Sequence, residues 1–332
     1  MTATYLRWAA EAAAKRLVDG YRRTGADVPF GDPLPSHGTA MEGWSWRLTD
    51  SASGRVVVAS CCVNQNRDGN WATVAVAVQP GGIVRSATLD GADADLSRFA
   101  VHAGTDPAER LAADIERLRI DLDDIHLKLR FADSFEWPMA LGGSGILSSI
   151  PFLNRYWHPY LLGGNASGTV KFGDDTWSFD GARLYAERNW GTGFPQRWWW
   201  GQAHDFAGAD VSVAFSGGLL ELGPIRRDVT AVVVRLGERV IRMTPPALAR
   251  SHVSDGRWTV RARTPRHQID LDGDGTGLNP HVLAVPLPTE RRIVGTGFER
   301  LAGRLHCTVR RFGRVVFDGT SELAGLEAGG RP

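Results

Sequence analysis

The side chains best suited to chemistry are gathered between Tyr185 and Phe206, in YAERNWGTGFPQRWWWGQAHDF. Four of the twelve tryptophans lie there, beside Glu187, Asn189, Gln202, His204 and Asp205. A carboxyl enclosed by Trp190, Phe194 and the Trp198–Trp200 run is desolvated, which raises its pKa and lets Glu187 keep a proton to deliver. His204 and Asp205 are the candidate partners in that transfer. Arg183, Arg188 and Arg197 stand close by in sequence, and a pairing with any of them would make Glu187 a structural ion pair instead. The residues offer acid–base chemistry inside an aromatic box.

Other chemistries lack their residues. His37, His158, His204 and His281 follow no ligand spacing such as HxH or HExxH, and Cys61, Cys62 and Cys307 are too few and too badly spaced for a tetrahedral site or a disulfide framework. DLDGDGTG at 270–277 starts like a calcium loop, but His281 occupies the twelfth position, where a bidentate Glu is needed; a polar loop between strands is expected. GGSG at 142–145 has neither the spacing nor the strand–helix context of a serine nucleophile elbow or a phosphate loop. No metal and no cofactor are expected.

The elements that must position these groups are almost all strands. Arg183–Trp190 and Trp198–Phe206 read as a hairpin around a Gly191–Pro195 corner, because Gly and Pro end ladders and aromatics favour them. Alternation puts Tyr185, Glu187 and Asn189 on one face of the first arm. On the second, Trp198, Trp200, Gln202, His204 and Phe206 oppose Trp199, Gly201, Ala203 and Asp205. An indole left in water forfeits roughly 2–3 kcal/mol, so both faces of this arm are expected to be covered, as at a pocket or a domain seam. GWSWRLTD, RVVVASCCV and WATVAVAV are further strands, 118–131 is a hairpin turning at Asp123-Asp124, and 106–115 is a short helix. Thr4–Arg23 has helical spacing of Leu6, Ala13, Leu17 and Tyr21, with Gly25 beyond its end. Trp44-x-Trp46 and Trp198-x-Trp200 precede similar Gly-and-valine runs, which suggests one β unit used twice. The expected division is an N-terminal helix (1–25), a first β domain (26–162) and a second (163–332), with the chain crossing at 139–149 and the pocket against the seam, approached by Glu42 and Trp44.

At 332 residues and a formal charge of +1 the chain has no electrostatic footprint for nucleic acid. The cysteine usage and the absence of an 18-residue apolar run point to a soluble cytoplasmic protein. Basic residues on the first helix add a membrane-surface contact as a second option.

The central stretch resembles the signature of the tocopherol cyclase family: a Glu-Lys/Asp-Asn-Trp-Gly run, Phe-Pro, then Trp-x-Trp-x-Gln. MEGWSWRL (41–48), FLNRYWHPYL with NASGTV, and AGLEAGG (324–330) are similar to its other motifs in the same order. That resemblance implies an all-β fold of two lipocalin-like antiparallel barrel or sandwich domains, related to carotenoid hydratases and some β-barrel Diels–Alderases. It further implies cofactor-free ring closure, in which an isoprenoid double bond is protonated and a quinol oxygen captures the cation. Indole faces stabilise a cation, and a pocket closed to water protects it from capture. By position, Glu42, Trp44, Glu187, Asn189, Trp190, Trp198, Trp200 and Gln202 match the motifs, while His204 and Trp46 depart from them. The expected activity is a cyclase or isomerase acting on a hydrophobic prenylated quinol or polyene, with Tyr185 beside the acid. A lipocalin-like cup that only binds such a ligand, and an alkene hydratase, are the alternatives.

Overall fold

The computed structural model describes residues 2–105 and 109–330, with side chains from residue 12 onward. Two antiparallel sheets make up nearly all of it. From one edge the first runs Ile83–Asp90, Trp71–Gln79, Arg55–Asn64, Met41–Asp50, Asp175–Gly191, Asn165–Phe172 and Ile125–Ala132. It continues through Arg117–Leu122, Leu111–Asp114 and Ala100–Ala103 to Asp93–Ala94, and Arg155–Leu161 branches onto Asp175–Gly191. The second runs Arg239–Met243, Ile225–Leu236, Val211–Leu222, Arg197–Ala203, Arg314–Gly330, Arg292–Arg311, His267–Asp274, Arg257–Arg263 and Leu248–Ser254. His281–Leu287 branches onto Arg292–Arg311.

Both sheets curl into lipocalin-like half-barrels around their own cores. In the first, Arg85 on an edge strand reaches Asp124 at a distant turn, with both carboxylate oxygens 2.8 Å from its Nε. In the second, Thr230 and Ser251 close the curl through hydroxyls 2.8 Å apart. Strict alternation builds the outer strands: Ile125–Ala132 is buried and exposed at every other residue. Met41–Asp50 is buried nearly throughout. One of its faces looks into the first core and the other onto the second sheet, as the inner strands of a layered protein must. The two sheets share a connectivity in which the first strand of each pairs with the next strand and with the last.

Several expectations change here. The two arms of the central stretch do not form a hairpin. Asp175–Gly191 pairs with Met41–Asp50, whereas Arg197–Ala203 pairs with Val211–Leu222 and Arg314–Gly330 in the other sheet. The Gly-Thr-Gly-Phe-Pro corner therefore carries the chain from one sheet to the other, and the 139–149 passage, which ends in a short helical turn at Gly145–Ser149, does not. The 162/163 division falls inside the first sheet. Leu111–Asp114 is a strand, not part of a helix, and residues 106–108 lie outside the described residues. Asp270 and Asp272 sit in the His267–Asp274 strand with their carboxylates on Arg310 and Arg261, rather than in a loop. The N-terminal helix is present as Thr2–Arg22. Its end is tied down by the Tyr21 hydroxyl, which donates to the Ser149 carbonyl at 2.5 Å, and by Arg22 on Asp27 at 2.9 Å. Among the described residues, no helix is long and apolar enough to cross a membrane.

Candidate active site in the seam between the sheets

Where the sheets face each other, alternation decides what meets. From Asp175–Gly191 come Tyr185, Glu187 and Asn189, and from Met41–Asp50 come Gly43, Ser45 and Arg47, with Ser45 directly opposite Glu187. The second sheet answers with Trp198, Trp200 and Gln202. Trp199 looks the other way, into the second core, where its indole donates to Thr230 at 3.1 Å. Phe206 also turns into that core, against Phe317, because the strand ends at Ala203.

A cavity of about 100 Å³ lies in this seam. Its walls include Glu187, Asn189, Trp44, Trp198, Trp200, Phe194 and Arg155, with Val282–Val285 on one side. Glycines let the indoles lie flat against the opposite strands. A Cβ at Gly329 would sit 2.1 Å from the Trp198 ring, and one at Gly325 would sit 2.9 Å from both Trp200 and Arg47. That is a physical reason for glycine at these places in AGLEAGG.

Glu187 is buried and holds four neutral donors. Its Oε2 accepts from Trp157 Nε1 at 2.8 Å, Trp200 Nε1 at 2.6 Å and the Tyr185 hydroxyl at 2.6 Å. Its Oε1 accepts from Asn189 at 3.0 Å. None of the neighbouring arginines pairs with it: Arg188 is on Glu42, Arg197 on Asp228, and Arg183 donates to the His204 carbonyl. The ion-pair reading of Glu187 therefore falls away. Three donors on Oε2 and one on Oε1 occupy the carboxyl as an acceptor, so Glu187 is placed to receive hydrogen bonds rather than to deliver a proton.

Two further carboxyls line the same cavity, and the sequence reading passed over both. Glu299 and Glu327 are directly opposite one another on neighbouring strands, and Trp200 is opposite Glu327 on its other side. The Trp198 indole donates to Glu327 Oε1. Glu299 Oε1 is buried with no partner among the described residues. Burial pushes both carboxyls upward; the Glu327 charge adds to the rise at Glu299, which Arg47 partly offsets, while at Glu327 the Trp198 indole and Arg155 pull downward and Glu187 adds to the rise. The motif AGLEAGG contained a signal for Glu327. Nothing in FERLAG marked Glu299, whose burial follows from its cross-strand neighbour.

The remaining expected site residues go elsewhere. Glu42 is not in the cavity. Its Oε2 pairs with buried Arg188 at 2.6 Å, and its Oε1 accepts from Ser36 and from the amides of His37, Gly38 and Thr39, so it organises that loop. The Trp190 indole donates to the Gly25 carbonyl at 2.7 Å and stacks on His37 with ring centres 4.3 Å apart, which pins the segment after the helix. Trp44 borders the cavity, yet its indole packs on Phe99 in the first core, and Trp46 is in that core as well. Tyr185 acts through Glu187. Gln202 and His204 follow Trp200 along the seam, away from the cavity, and Asp205 lies past the strand's end. Burial, then Arg47, holds the His204 imidazole well below its usual pKa, so it is neutral and unsuited to the acid role.

Two curled sheets with a cavity of indoles and carboxyls between them define a lipocalin-like β protein. Residues 124–330 match the tocopherol cyclase-like family model, and the chain belongs to that family. It is 26% identical over 199 residues to a probable chloroplastic tocopherol cyclase of Oryza sativa subsp. japonica, a match covering 57% of this chain and 42% of the relative. With the chloroplastic tocopherol cyclase of Zea mays the identity is 27% over 207 residues, 58% of this chain and 43% of the relative. The matches thus span less than half of these relatives' length. The fold is similar to a crystal structure of a putative AttH from Nitrosomonas europaea (TM-score 0.52, 13% identity, 92% of this chain and 98% of that one). Kievitone hydratase from Nectria haematococca is similar to the same degree (TM-score 0.52, 10% identity, 92% and 96%).

Proposed function

We propose that this protein is a cofactor-independent cyclase that closes a ring on a hydrophobic prenylated quinol by protonating an alkene in the seam cavity. The observation that carries the reading is one enclosed space whose walls combine indole faces with a carboxylate held by four donors. A tertiary cation formed beside Glu187 is stabilised by the negative charge and by the Trp198 and Trp200 faces, and shielding from bulk water leaves the quinol oxygen as its nucleophile. Membership of the tocopherol cyclase-like family supports the same chemistry. The cavity is smaller than such a ligand, so admission requires the His281–Leu287 strand to give way. That strand pairs along one side only and slips register between Leu283 and Val285.

The test is incubation with a prenylated benzoquinol in D2O, followed by mass spectrometry of the product. A chroman isomeric with the substrate and carrying one carbon-bound deuterium is expected. A product heavier by one water makes the protein a hydratase, and tight binding with no turnover makes it a carrier; either result overturns the proposal.

A further inference from the structure

Glu187 is committed to its donors, so the cavity needs another source of protons. We propose that Glu299 and Glu327 share a single proton and together form the acid of this site, an inference that rests on the cyclase reading for its substrate but not for its physical basis. The ladder sets the geometry. Glu299 is directly opposite Glu327, their side chains share one face, and both reach the cavity that Glu187 and Trp200 also line. Like charges in directly opposing positions repel, and burial removes the water that would screen them.

The charges around the cavity count to the same answer. Glu187, Glu299 and Glu327 are three carboxyls, and Arg47 and Arg155 are the two guanidiniums that act on them. One proton on the pair leaves the enclosure neutral. His281, opposite Glu299 on the outer strand, adds no charge because burial lowers its pKa. Within the pair the proton rests on Glu299. Glu327 accepts the Trp198 indole and feels Arg155, both of which favour its ionised form, whereas Glu299 Oε1 has no partner. Arg47 opposes this through its charge but is not hydrogen-bonded to Glu299: its Nη2 is engaged by the Leu301 and Leu323 carbonyls at 2.6 and 2.7 Å, and its Nε and Nη1 have no partner among the described residues.

The shared proton also balances the reaction. Glu299 transfers its proton to one alkene carbon, and the π pair becomes the new C–H bond. A phenol oxygen lone pair then forms the C–O bond to the tertiary cation. The phenol proton passes to one of the two carboxylates, so the pair again holds one proton and nothing is consumed.

Two measurements on the intact protein test this. Infrared spectroscopy at pH 7 should show the carbonyl stretch of a protonated carboxylic acid, shifted in D2O, which is lost in Glu299→Gln and kept in Glu187→Gln. Absence of the band from the wild type, or its loss in Glu187→Gln, overturns the proposal. Thermal unfolding gives an independent readout. Between the free carboxyl's value and the raised native one, the folded state holds a proton that the unfolded state has released, so wild-type stability falls as pH rises through that window. Glu299→Gln lacks that loss, so its Tm relative to wild type should climb by ~4 °C or more from pH 5 to pH 8. The buried histidines are common to both proteins and cancel. Parallel Tm curves overturn the shared proton. On a prenylated quinol, Glu299→Gln should lose ~10²–10⁴-fold in turnover. An intact band with no turnover of any such quinol by the wild type defeats the cyclase reading and leaves the paired carboxyls standing; full turnover by Glu299→Gln defeats their role as acid.

Discussion

Replacing Glu187 by Gln separates its charge from its shape. The amide oxygen can take the place of Oε2 and keep the bonds from Trp157, Tyr185 and Trp200, while the amide nitrogen faces Asn189. Asn189 can turn to meet it, since its own Oδ1 is buried without a partner. Each retained bond drops from the charge-assisted to the neutral range, a loss of about 1 kcal/mol apiece, partly offset because no charge is buried any longer. A net destabilisation of ~1–3 kcal/mol follows, a Tm shift of several degrees. Glu187→Leu instead strands four buried donors at about 1–3 kcal/mol each and should unfold much of the population at moderate temperature. For catalysis, a unit charge ~5 Å from a developing cation, at an effective dielectric constant near 20, is worth ~3 kcal/mol, so Glu187→Gln should lose roughly 10²-fold in kcat. Urea titration and steady-state kinetics on the same preparations give both quantities. Full activity in Glu187→Gln, or equal stability of the Gln and Leu variants, would refute the picture of a carboxylate organised by its donors.

Gly329→Ala should destabilise by about 1–3 kcal/mol in urea melts, because the new methyl meets Trp198 at 2.1 Å; the same change at solvent-facing Gly313, with nothing within 4 Å of its Cβ, contacts nothing and strains only a left-handed turn. Arg47→Met should lower Tm, because two carbonyls of the second sheet lose the guanidinium that links them to the first. His204→Phe should leave kcat unchanged and flatten the acid limb of the stability profile. The wild-type imidazole is depressed in the fold, so the unfolded chain takes up the proton first and stability is lost as pH falls below ~6.5, a loss Phe does not have. Amide exchange in 281–287 should slow on addition of a hydrophobic quinol if that strand is the one that yields; unchanged exchange there would place the mouth elsewhere.

What could be read before folding was mostly local. Alternation correctly sorted Glu187 from Arg188 and Trp200 from Trp199, because period two is a property of the strand itself. Pairing is not local. Glu187 meets Ser45, and Trp200 meets Glu327, across separations that no turn signal encodes, so a chain crossing between sheets looked like a hairpin. Glu42 shows the limit of a motif: it agrees with the resembled pattern by position, but its carboxylate serves the Ser36 hydroxyl, the His37–Thr39 amides and Arg188. Glu299 was invisible for the opposite reason, since it lies in an unremarkable strand and draws its character from the residue across the ladder.

The indole bonds at the seam carry an optical consequence. Trp157 and Trp200 direct their pyrrole N–H at Glu187, and Trp198 directs its own at Glu327. Excitation of an indole moves electron density from the pyrrole toward the benzene ring, so a negative charge at the N–H stabilises the excited state and reddens its emission. Three chromophores are thereby wired to two carboxylates of one enclosure. The colour of the protein's intrinsic fluorescence becomes a gauge of charge inside the cavity, blue-shifting wherever a carboxylate is neutralised and requiring no added label.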